Sequence, residues 1–258
     1  IIQPFNDLEV IEKTIRERHF EIAAVLIEPA LANCGVIPPV EGYLEGLRKI
    51  TEQYGVLLIF DEVMTGFRIA PGGAQEYYNI KPDISTFAKV LGGGFPAACF
   101  GGTKEVMEIE AKNEVMHGGT YTASPLALAA ADAVLKRIER DKETMYPRLF
   151  ELSERLREGL VRVIRAAGFH CFGQGIGPLF QVFIGDSDID RLYNYRDTVG
   201  YVRDDIFSAF HAELQKRGVY CHPGQFERWF LSTEHTDQDI DDTIAAAEES
   251  NRAVAKKL

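Results

Sequence analysis

The chain is short of positive charge. Its 258 residues include 28 lysines and arginines against 39 aspartates and glutamates, which gives a formal net charge of −11. The basic residues form no cluster, and an acidic chain without one is a poor match for a nucleic-acid-binding protein. Long hydrophobic runs are missing too, since no apolar run approaches the length of a transmembrane helix. We therefore expect neither a nucleic acid nor a membrane as a partner.

Cysteine is also scarce. The four cysteines, Cys34, Cys99, Cys171 and Cys221, are widely spaced, form no C-x-x-C pair and have no histidine at zinc-ligand spacing. This pattern predicts no metal site, and it predicts reduced thiols in a cytoplasmic protein. The sequence also lacks the G-x-G-x-x-G fingerprint, which argues against a nicotinamide-binding domain.

Two apolar segments each end in a charged residue. Residues 56–60 lead into Asp61, and residues 84–88 lead into Lys89, which precedes a triple glycine at 92–94. Continuous apolar segments of this length are typical of parallel strands that are covered on both faces. Ligands of parallel α/β sheets lie at the carboxyl ends of the strands, so we expect Asp61 and Lys89 to face one crevice.

An amine and a carboxylate at adjacent strand ends suit the chemistry of pyridoxal phosphate. The lysine forms a Schiff base with this cofactor, and the aspartate holds the proton on the pyridine nitrogen. The residues alone leave an alternative open. An aspartate after a strand is often a helix cap or turn residue, and a lysine before glycines is often a solvated turn residue.

Longer motifs favour the catalytic interpretation. The runs D-E-V-M-T-G-F-R at 61–68 and A-K-V-L-G-G-G at 88–94 resemble the class III aminotransferases of fold type I. The run G-F-R-I-A-P-G-G-A-Q-E-Y-Y at 66–78 is particularly similar to their glutamate-1-semialdehyde aminomutase subgroup. The resemblance covers almost the whole chain. It implies an α/β fold with a mostly parallel sheet, and pyridoxal 5′-phosphate as cofactor.

The resemblance also assigns roles to two residues near the predicted strand ends. Val63 would pack against the face of the pyridine ring, although it suits a plain core position equally well. Asn33 would lie beside a cofactor oxygen, where many class III aminotransferases have a glutamate that forms a removable salt bridge to an arginine. Without the resemblance, Asn33 reads as a turn residue.

The resemblance also assigns roles to three further residues. Gly119 and Thr120 would donate to the cofactor phosphate of a neighbouring subunit, which implies a homodimer with shared active sites; the alternative is a glycine loop with a capping threonine. Glu227 would reach towards the substrate, although a surface glutamate on a strand edge also fits. Arg228 and Trp229 replace the smaller residues usual after this glutamate, and we expect their bulk near the entrance to change which substrates fit.

Residues 1–145 are expected to form the C-terminal part of a cofactor-binding large domain, and residues 146–258 a linking helix and a small α+β domain. The resemblance implies that an N-terminal portion, with a phosphate-binding loop and a ring-stacking aromatic residue, precedes the chain, and that the chain would not be a competent enzyme alone.

Strands are predicted at 22–27, 97–101, 179–184, 219–221 and 229–232. Helices are predicted at 43–54, 126–140, 145–167 and 201–217, and a loop at 71–75. Either Asn6 or Asp7 is expected to cap the first helix, Gly55 to end the helix at 43–54, and Thr236 with Asp239 to open a final helix in a pattern like a capping box. The triple glycine at 92–94 predicts a tight turn.

The predicted function is pyridoxal-phosphate-dependent transfer of an amino group from a small-molecule amino donor to a keto or aldehyde acceptor, with Lys89 and Asp61 as catalytic residues. One alternative uses the same site to move an amine within one molecule, as the aminomutase does. A second is a non-catalytic fragment that contributes only to an assembly.

Overall fold

The chain divides into two units in the computed structural model, which describes residues 1–257. The first unit comprises Ile1–Pro29 and Pro39–Lys142, and the second comprises Ala30–Pro38 and the chain from Glu143 on. The short segment Ala30–Pro38 therefore lies between two parts of the first unit in sequence but belongs to the second in space.

A four-stranded mixed sheet forms the centre of the first unit. Its strands, in the spatial order β1-β2-β3-β4, are β1 (Ala24–Ile27), β2 (Leu57–Asp61), β3 (Ile84–Phe87) and β4 (Cys99–Gly102). The first three strands pair in parallel, and β4 is antiparallel to β3. The predicted α/β class with a mostly parallel sheet is confirmed.

The helices of the first unit begin and end at sequence signals. They are α1 (Leu8–Arg18), α2 (Tyr43–Tyr54), α3 (Gly73–Tyr77) and α4 (Lys104–Ala111). Asp7 caps α1, because its side chain accepts a hydrogen bond from the amide of Val10. Gly55 ends α2 in the left-handed conformation that glycine adopts without steric cost, as the sequence predicts.

A single helix, α5, spans Pro125–Ala166, with Pro147 in its interior. The prediction of two helices, at 126–140 and 145–167, was wrong in this respect. Proline suits the first turn of a helix, so Pro147 predicted a new start. The intervening residues contain no glycine, and Asp141 forms ion pairs with Arg137 and Arg140 that support the continuous helix.

The second unit contains an antiparallel sheet with helices packed on it. Its elements are β5 (His170–Ile176), β6 (Leu179–Gly185), α6 (Tyr195–Tyr201), α7 (Asp204–Lys216), β7 (Trp229–Phe230) and α8 (Asp237–Ala255). The central strand β6 is buried along its whole length. A capping box of Thr236 and Asp239 opens α8, as the sequence predicts.

Two predictions for the second unit were wrong, and one strand was missed. The helix predicted at 201–217 is two helices, because Val202 bridges to Gly185 and the amide of Arg203 donates to the carbonyl of Ile184 at 2.9 Å. The strand predicted at 219–221 is absent from the described residues, and β5 was not predicted.

Among residues 1–257, no helix combines the length and apolarity needed to cross a membrane.

Candidate active site

Asp61 is the last residue of β2, and it is held in place by neighbours on both sides. It pairs in register with Thr86 of the adjacent parallel strand β3. Its Oδ1 accepts hydrogen bonds from the Val63 amide at 3.0 Å and from Thr86 Oγ1 at 3.4 Å. The carboxylate is therefore oriented by the turn that follows its own strand and by the neighbouring strand.

Lys89 begins a 3-10 turn, Lys89–Gly92, directly after β3. Its φ is +50°, a left-handed conformation that is uncommon for a residue other than glycine and that concentrates at functional sites. The side chain is exposed, and Nζ contacts Met64 Sδ at 2.7 Å. Met64 lies in the turn after β2, so the amine of Lys89 and the carboxylate of Asp61 meet at one edge of the sheet.

The glycines behind Lys89 form a tight turn, as predicted. Gly93 and Gly94 both have positive φ, +55° and +98°. A Cβ on Gly93 would lie 2.6 Å from Val134 Cγ2 of α5, closer than real contacts allow. Glycine is therefore required here by both conformation and packing.

A buried carboxylate adjoins the two predicted catalytic residues. Glu62 follows Asp61 and is fully buried, and it accepts hydrogen bonds from Thr65, Ala74 and Gln75. Burial raises the pKa of the Glu62 carboxyl, and the hydrogen bonds from Ala74, Gln75 and Thr65 oppose this shift. The sequence analysis missed this residue, although two glycines at 72–73 and a carboxylate beside Asp61 were visible signals.

The same carboxylate explains why the loop predicted at 71–75 was wrong. The amides of Ala74 and Gln75, in the first turn of α3, both donate to Glu62. The amides in the first turn of a helix have no acceptor within the helix, so a carboxylate at this end stabilises it. Proline and paired glycines at 71–73 predict a loop. The acceptor that stabilises a helix here, Glu62, is ten or more residues away in sequence, so the local pattern does not reveal it.

In the second unit, Asn33 and Glu227 contact the same arginine. Arg228 donates through Nη1 to Asn33 Oδ1 and to Glu227 Oε2, and its guanidinium lies 5.0 Å from the ring centroid of Phe230. Only 8% of the Arg228 side chain is exposed. The sequence analysis noted Arg228 only as a departure in size and missed its role as the residue that joins this cluster.

The expectation that Trp229 adds bulk near an entrance was wrong. Trp229 is buried in the core of the second unit, with its ring parallel to that of Phe180 at a centroid distance of 6.3 Å. Side chains alternate between the two faces of a strand. Trp229 of β7 points to the core, so its neighbours Arg228 and Phe230 point to the opposite face.

Four hydrogen bonds fix the segment that carries Asn33 to the rest of the second unit. The amide of Gly35 donates to the Phe226 carbonyl at 2.8 Å. Thr198 Oγ1 of α6 donates to the Cys34 carbonyl at 3.1 Å, and the buried Gln174 Nε2 of β5 donates to the Val36 carbonyl at 3.2 Å. Together with the Arg228 contact, these bonds make Asn33 a part of the second unit.

Gly119 and Thr120 lie in a turn between α4 and α5. The Thr122 amide donates to the Gly119 carbonyl at 3.0 Å and closes the turn. Every residue from 111 to 123 is exposed. Within the chain, these two residues are therefore placed on the surface of the first unit.

A family model settles the relationship that the motifs suggest. The model described as aminotransferase class-III matches residues 2–227. The chain belongs to the class III aminotransferase family.

Solved structures of other class III aminotransferases resemble the whole chain. An omega-transaminase from Sphaerobacter thermophilus is 30% identical with a TM-score of 0.88, over 99% of this chain and 57% of that one. A beta-phenylalanine aminotransferase from Variovorax paradoxus is 29% identical with a TM-score of 0.85, over 96% and 56%. A glutamate-1-semialdehyde-aminomutase from Pseudomonas aeruginosa PAO1, in complex with PMP, is 25% identical with a TM-score of 0.84, over 97% and 56%. The chain spans little more than half the length of these relatives.

Enzymes of this family depend on pyridoxal phosphate. The residues at the strand ends fit that cofactor, since it requires an amine for its aldehyde carbon and an acceptor for its protonated ring nitrogen. Lys89 carries an amine of this kind. Asp61 carries a candidate acceptor, because within residues 1–257 its Oδ2 accepts no hydrogen bond while Oδ1 accepts from Val63 and Thr86.

Proposed function

We propose that this chain carries the catalytic lysine and the pyridine-binding aspartate of a pyridoxal-phosphate-dependent aminotransferase. The reaction moves an amino group from a small-molecule amino donor to a keto or aldehyde acceptor. The observation that carries this proposal is the position of Lys89 and Asp61 at the ends of adjacent strands, with the Lys89 amine on Met64 of the turn that also orients Asp61.

The bound cofactor supplies an electron sink for the carbanion that forms at the substrate carbon. Asp61 holds a proton on the ring nitrogen, and the hydrogen bonds from Val63 and Thr86 keep its carboxylate oriented for this task. Lys89 Nζ would hold the cofactor, and as a free amine it would accept and return a proton at the substrate carbon. Val63, whose amide donates to Asp61, would pack against the ring face.

We assign the first unit, within residues 1–145, to the cofactor-binding domain, and residues 146–258 to the linking helix and small domain. We propose that Asn33 lies beside a cofactor oxygen and that Glu227 contacts the substrate. Within the second unit, the nearly buried guanidinium of Arg228 donates to an oxygen of each of these two residues. The neutral Asn33 replaces the removable glutamate of many relatives, so substrate choice does not depend on a glutamate switch.

A second candidate reaction is the transfer of an amine within one molecule. It uses the same Lys89 and Asp61 chemistry, and the similarity to the glutamate-1-semialdehyde-aminomutase structure favours it. A panel of amino donors with an external keto acceptor separates the two reactions. Amine exchange with the acceptor supports the aminotransferase, and isomerisation of a single amino aldehyde without an acceptor supports the aminomutase.

A second copy of the chain is proposed to complete the site. Gly119 and Thr120 donate to the cofactor phosphate of the partner copy, in a symmetric homodimer. Exposed apolar side chains around this turn support the proposal; they are Val115, Met116, Tyr121, Leu126 and Leu128. An apolar surface of this kind is typical of an interface.

The four free cysteines are consistent with a reducing, cytoplasmic location.

The decisive experiment is borohydride reduction of the intact protein that contains this chain, purified and loaded with pyridoxal phosphate. The visible absorbance should bleach, and peptide mapping should place the cofactor on Lys89. Lys89→Ala should lose both the label and turnover, while the matched exposed-lysine control Lys81→Ala should keep both. A colourless protein, or a label on another lysine, would contradict the proposal and favour a non-catalytic role.

A further inference from the structure

Glu62 is a buried carboxylate that the proposed reaction does not use. It lies directly after Asp61, and its exposed fraction is 0%. Removing a carboxylate from water costs several kcal/mol unless hydrogen bonds compensate, so its presence here requires an explanation.

Four donors converge on the two oxygens of Glu62. Oε2 accepts from the Ala74 amide at 2.5 Å and from Thr65 Oγ1 at 2.9 Å. Oε1 accepts from the Gln75 amide at 3.0 Å and from Gln75 Nε2 at 3.3 Å. A carboxyl group can satisfy all four partners, whereas an amide at this position would place its own N–H hydrogens against a backbone N–H donor.

The residue at position 73 packs so closely against the Glu62 carboxylate that only glycine fits there. Gly73, the first residue of α3, has φ +74°, and a Cβ on it would lie 2.2 Å from Glu62 Oε2. The backbone of Gly73 therefore approaches the carboxylate as only glycine can. This close approach makes the position of α3 depend directly on the position of Glu62.

Glu62 also fixes the two strand ends that carry the site. Its amide donates to the Thr86 carbonyl at 3.0 Å, and its carbonyl accepts from the Gly66 amide at 2.8 Å. Gln75, which is held by the Glu62 carboxylate, donates through Nε2 to Ser85 Oγ at 3.4 Å. Ser85 precedes Thr86, the residue that donates to Asp61. The carboxylate thus connects the turn after β2, the start of α3 and the strand β3.

We propose that Glu62 is a positioning residue for the Lys89–Asp61 site. Through its four hydrogen bonds, the Glu62 carboxyl group fixes the turn at 62–66, so that the Val63 amide remains bonded to Asp61 and Met64 remains in contact with the Lys89 amine. This inference rests on the proposed function, because it assigns catalytic roles to Lys89 and Asp61. Glu62 itself contacts neither the cofactor nor the substrate in this scheme.

The test compares Glu62→Gln with Glu76→Gln in the full chain loaded with pyridoxal phosphate. Glu76 is a matched control: it also accepts a backbone amide, that of Gly72, at the start of α3, but it is exposed. Glu62→Gln should lower kcat by roughly 10- to 100-fold while the KM of the amino donor stays within about twofold, since misplaced catalytic groups affect the chemical step. Glu76→Gln should change neither value.

Amide hydrogen exchange gives a readout that is independent of activity. In Glu62→Gln the peptides covering 62–66 and 73–76 should exchange faster, whereas those of α2 should not change. If Glu62→Gln does not fold, Thr65→Val removes one of the four donors and should lower kcat by a smaller factor, with faster exchange over 62–66. Thr65→Val or Glu62→Gln with faster exchange but unchanged kcat would overturn the positioning role.

A failure of the proposed function would give a different result from a failure of the role proposed for Glu62. In that case borohydride would not attach the cofactor to Lys89 in the unaltered protein. A positive Lys89 label together with wild-type kcat in Glu62→Gln would leave the proposed function intact and refute only the role of Glu62.

Discussion

At the scale of single residues, the charge of Asp61 is separable from its structural bonds. Asp61→Asn keeps an oxygen that can accept from the Val63 amide and Thr86 Oγ1, so the fold and cofactor binding should persist. The neutral amide cannot stabilise a protonated ring nitrogen, and kcat should fall by about 10²- to 10³-fold. Steady-state kinetics with saturating donor measures the effect. An unchanged kcat would show that Asp61 has only a structural role.

Asn33 allows a second prediction at this scale. In Asn33→Glu the new carboxylate would compete with Glu227 for the Arg228 guanidinium, because Asn33 Oδ1 already accepts from it. We expect the relative kcat/KM among amino donors to shift, most strongly for donors with an α-carboxylate. Asn33→Gln is the neutral control and should retain the wild-type order. If the Glu variant has the wild-type profile as well, Asn33 does not face the substrate.

At the scale of elements, an ion cluster on α7 allows a prediction of pH dependence. Glu213 accepts from Lys216, Arg217 and Lys257, and its side chain is only 9% exposed. Hydrogen bonds from Lys216, Lys257 and Arg217 lower the pKa of the Glu213 carboxyl. A lowered folded-state pKa means that the cluster stabilises the protein fully above the unfolded pKa of about 4.3, and that this stabilisation is lost as the pH falls towards the folded value.

Glu213→Gln should therefore lower Tm by an amount that is constant between neutral pH and about pH 5 and shrinks below about pH 4. Thermal unfolding of both proteins across this range measures the difference. Glu249→Gln is the control: among the described residues 1–257, Glu249 pairs with Arg217 alone, and its side chain is 68% exposed, so its loss should have little effect. A difference in Tm that grows as the pH falls would contradict the assignment.

The same scale shows what the sequence could and could not predict. Residues with local signals were predicted correctly: Asp7 before α1, Gly55 after α2, and Thr236 with Asp239 before α8. The errors arose where distant groups decide the structure. Glu62 stabilises α3 from more than ten residues away, and the edge of β6 separates α6 from α7. Local propensity contains neither effect.

The candidate site divides in the same way. The positions of Asp61 and Lys89 at the ends of adjacent parallel strands could be predicted, because each follows an apolar segment that is typical of such a strand. Met64, Thr86 and Arg228 could not, because their roles depend on side-chain contacts across strands or between separate segments. The roles of Gly119 and Thr120 remain predictions, since they concern a partner copy.

At the scale of the whole molecule, Thr120 tests whether two copies share their sites. Thr120 lies in an exposed turn, where a hydroxyl and backbone amides suit a phosphate oxygen. If it serves the partner copy, cofactor binding stabilises the dimer, since the phosphate bridges two chains. Thr120→Ala should weaken both cofactor binding and dimerisation by ~1.5–3 kcal/mol, the range for a hydrogen bond to a charged group. Thr122→Ala, from the same turn, is the control and should weaken neither.

Mixing Thr120→Ala with Lys89→Ala protomers gives the sharper form of this prediction. In a shared site, each mixed dimer has one site with both changes and one site with neither, so at limiting cofactor the activity should exceed the average of the two parent variants. If Thr120 served its own chain, each site of a mixed dimer would carry one change. The mixture would then show only that average, because no unaltered site could form, and the shared-site arrangement would be excluded.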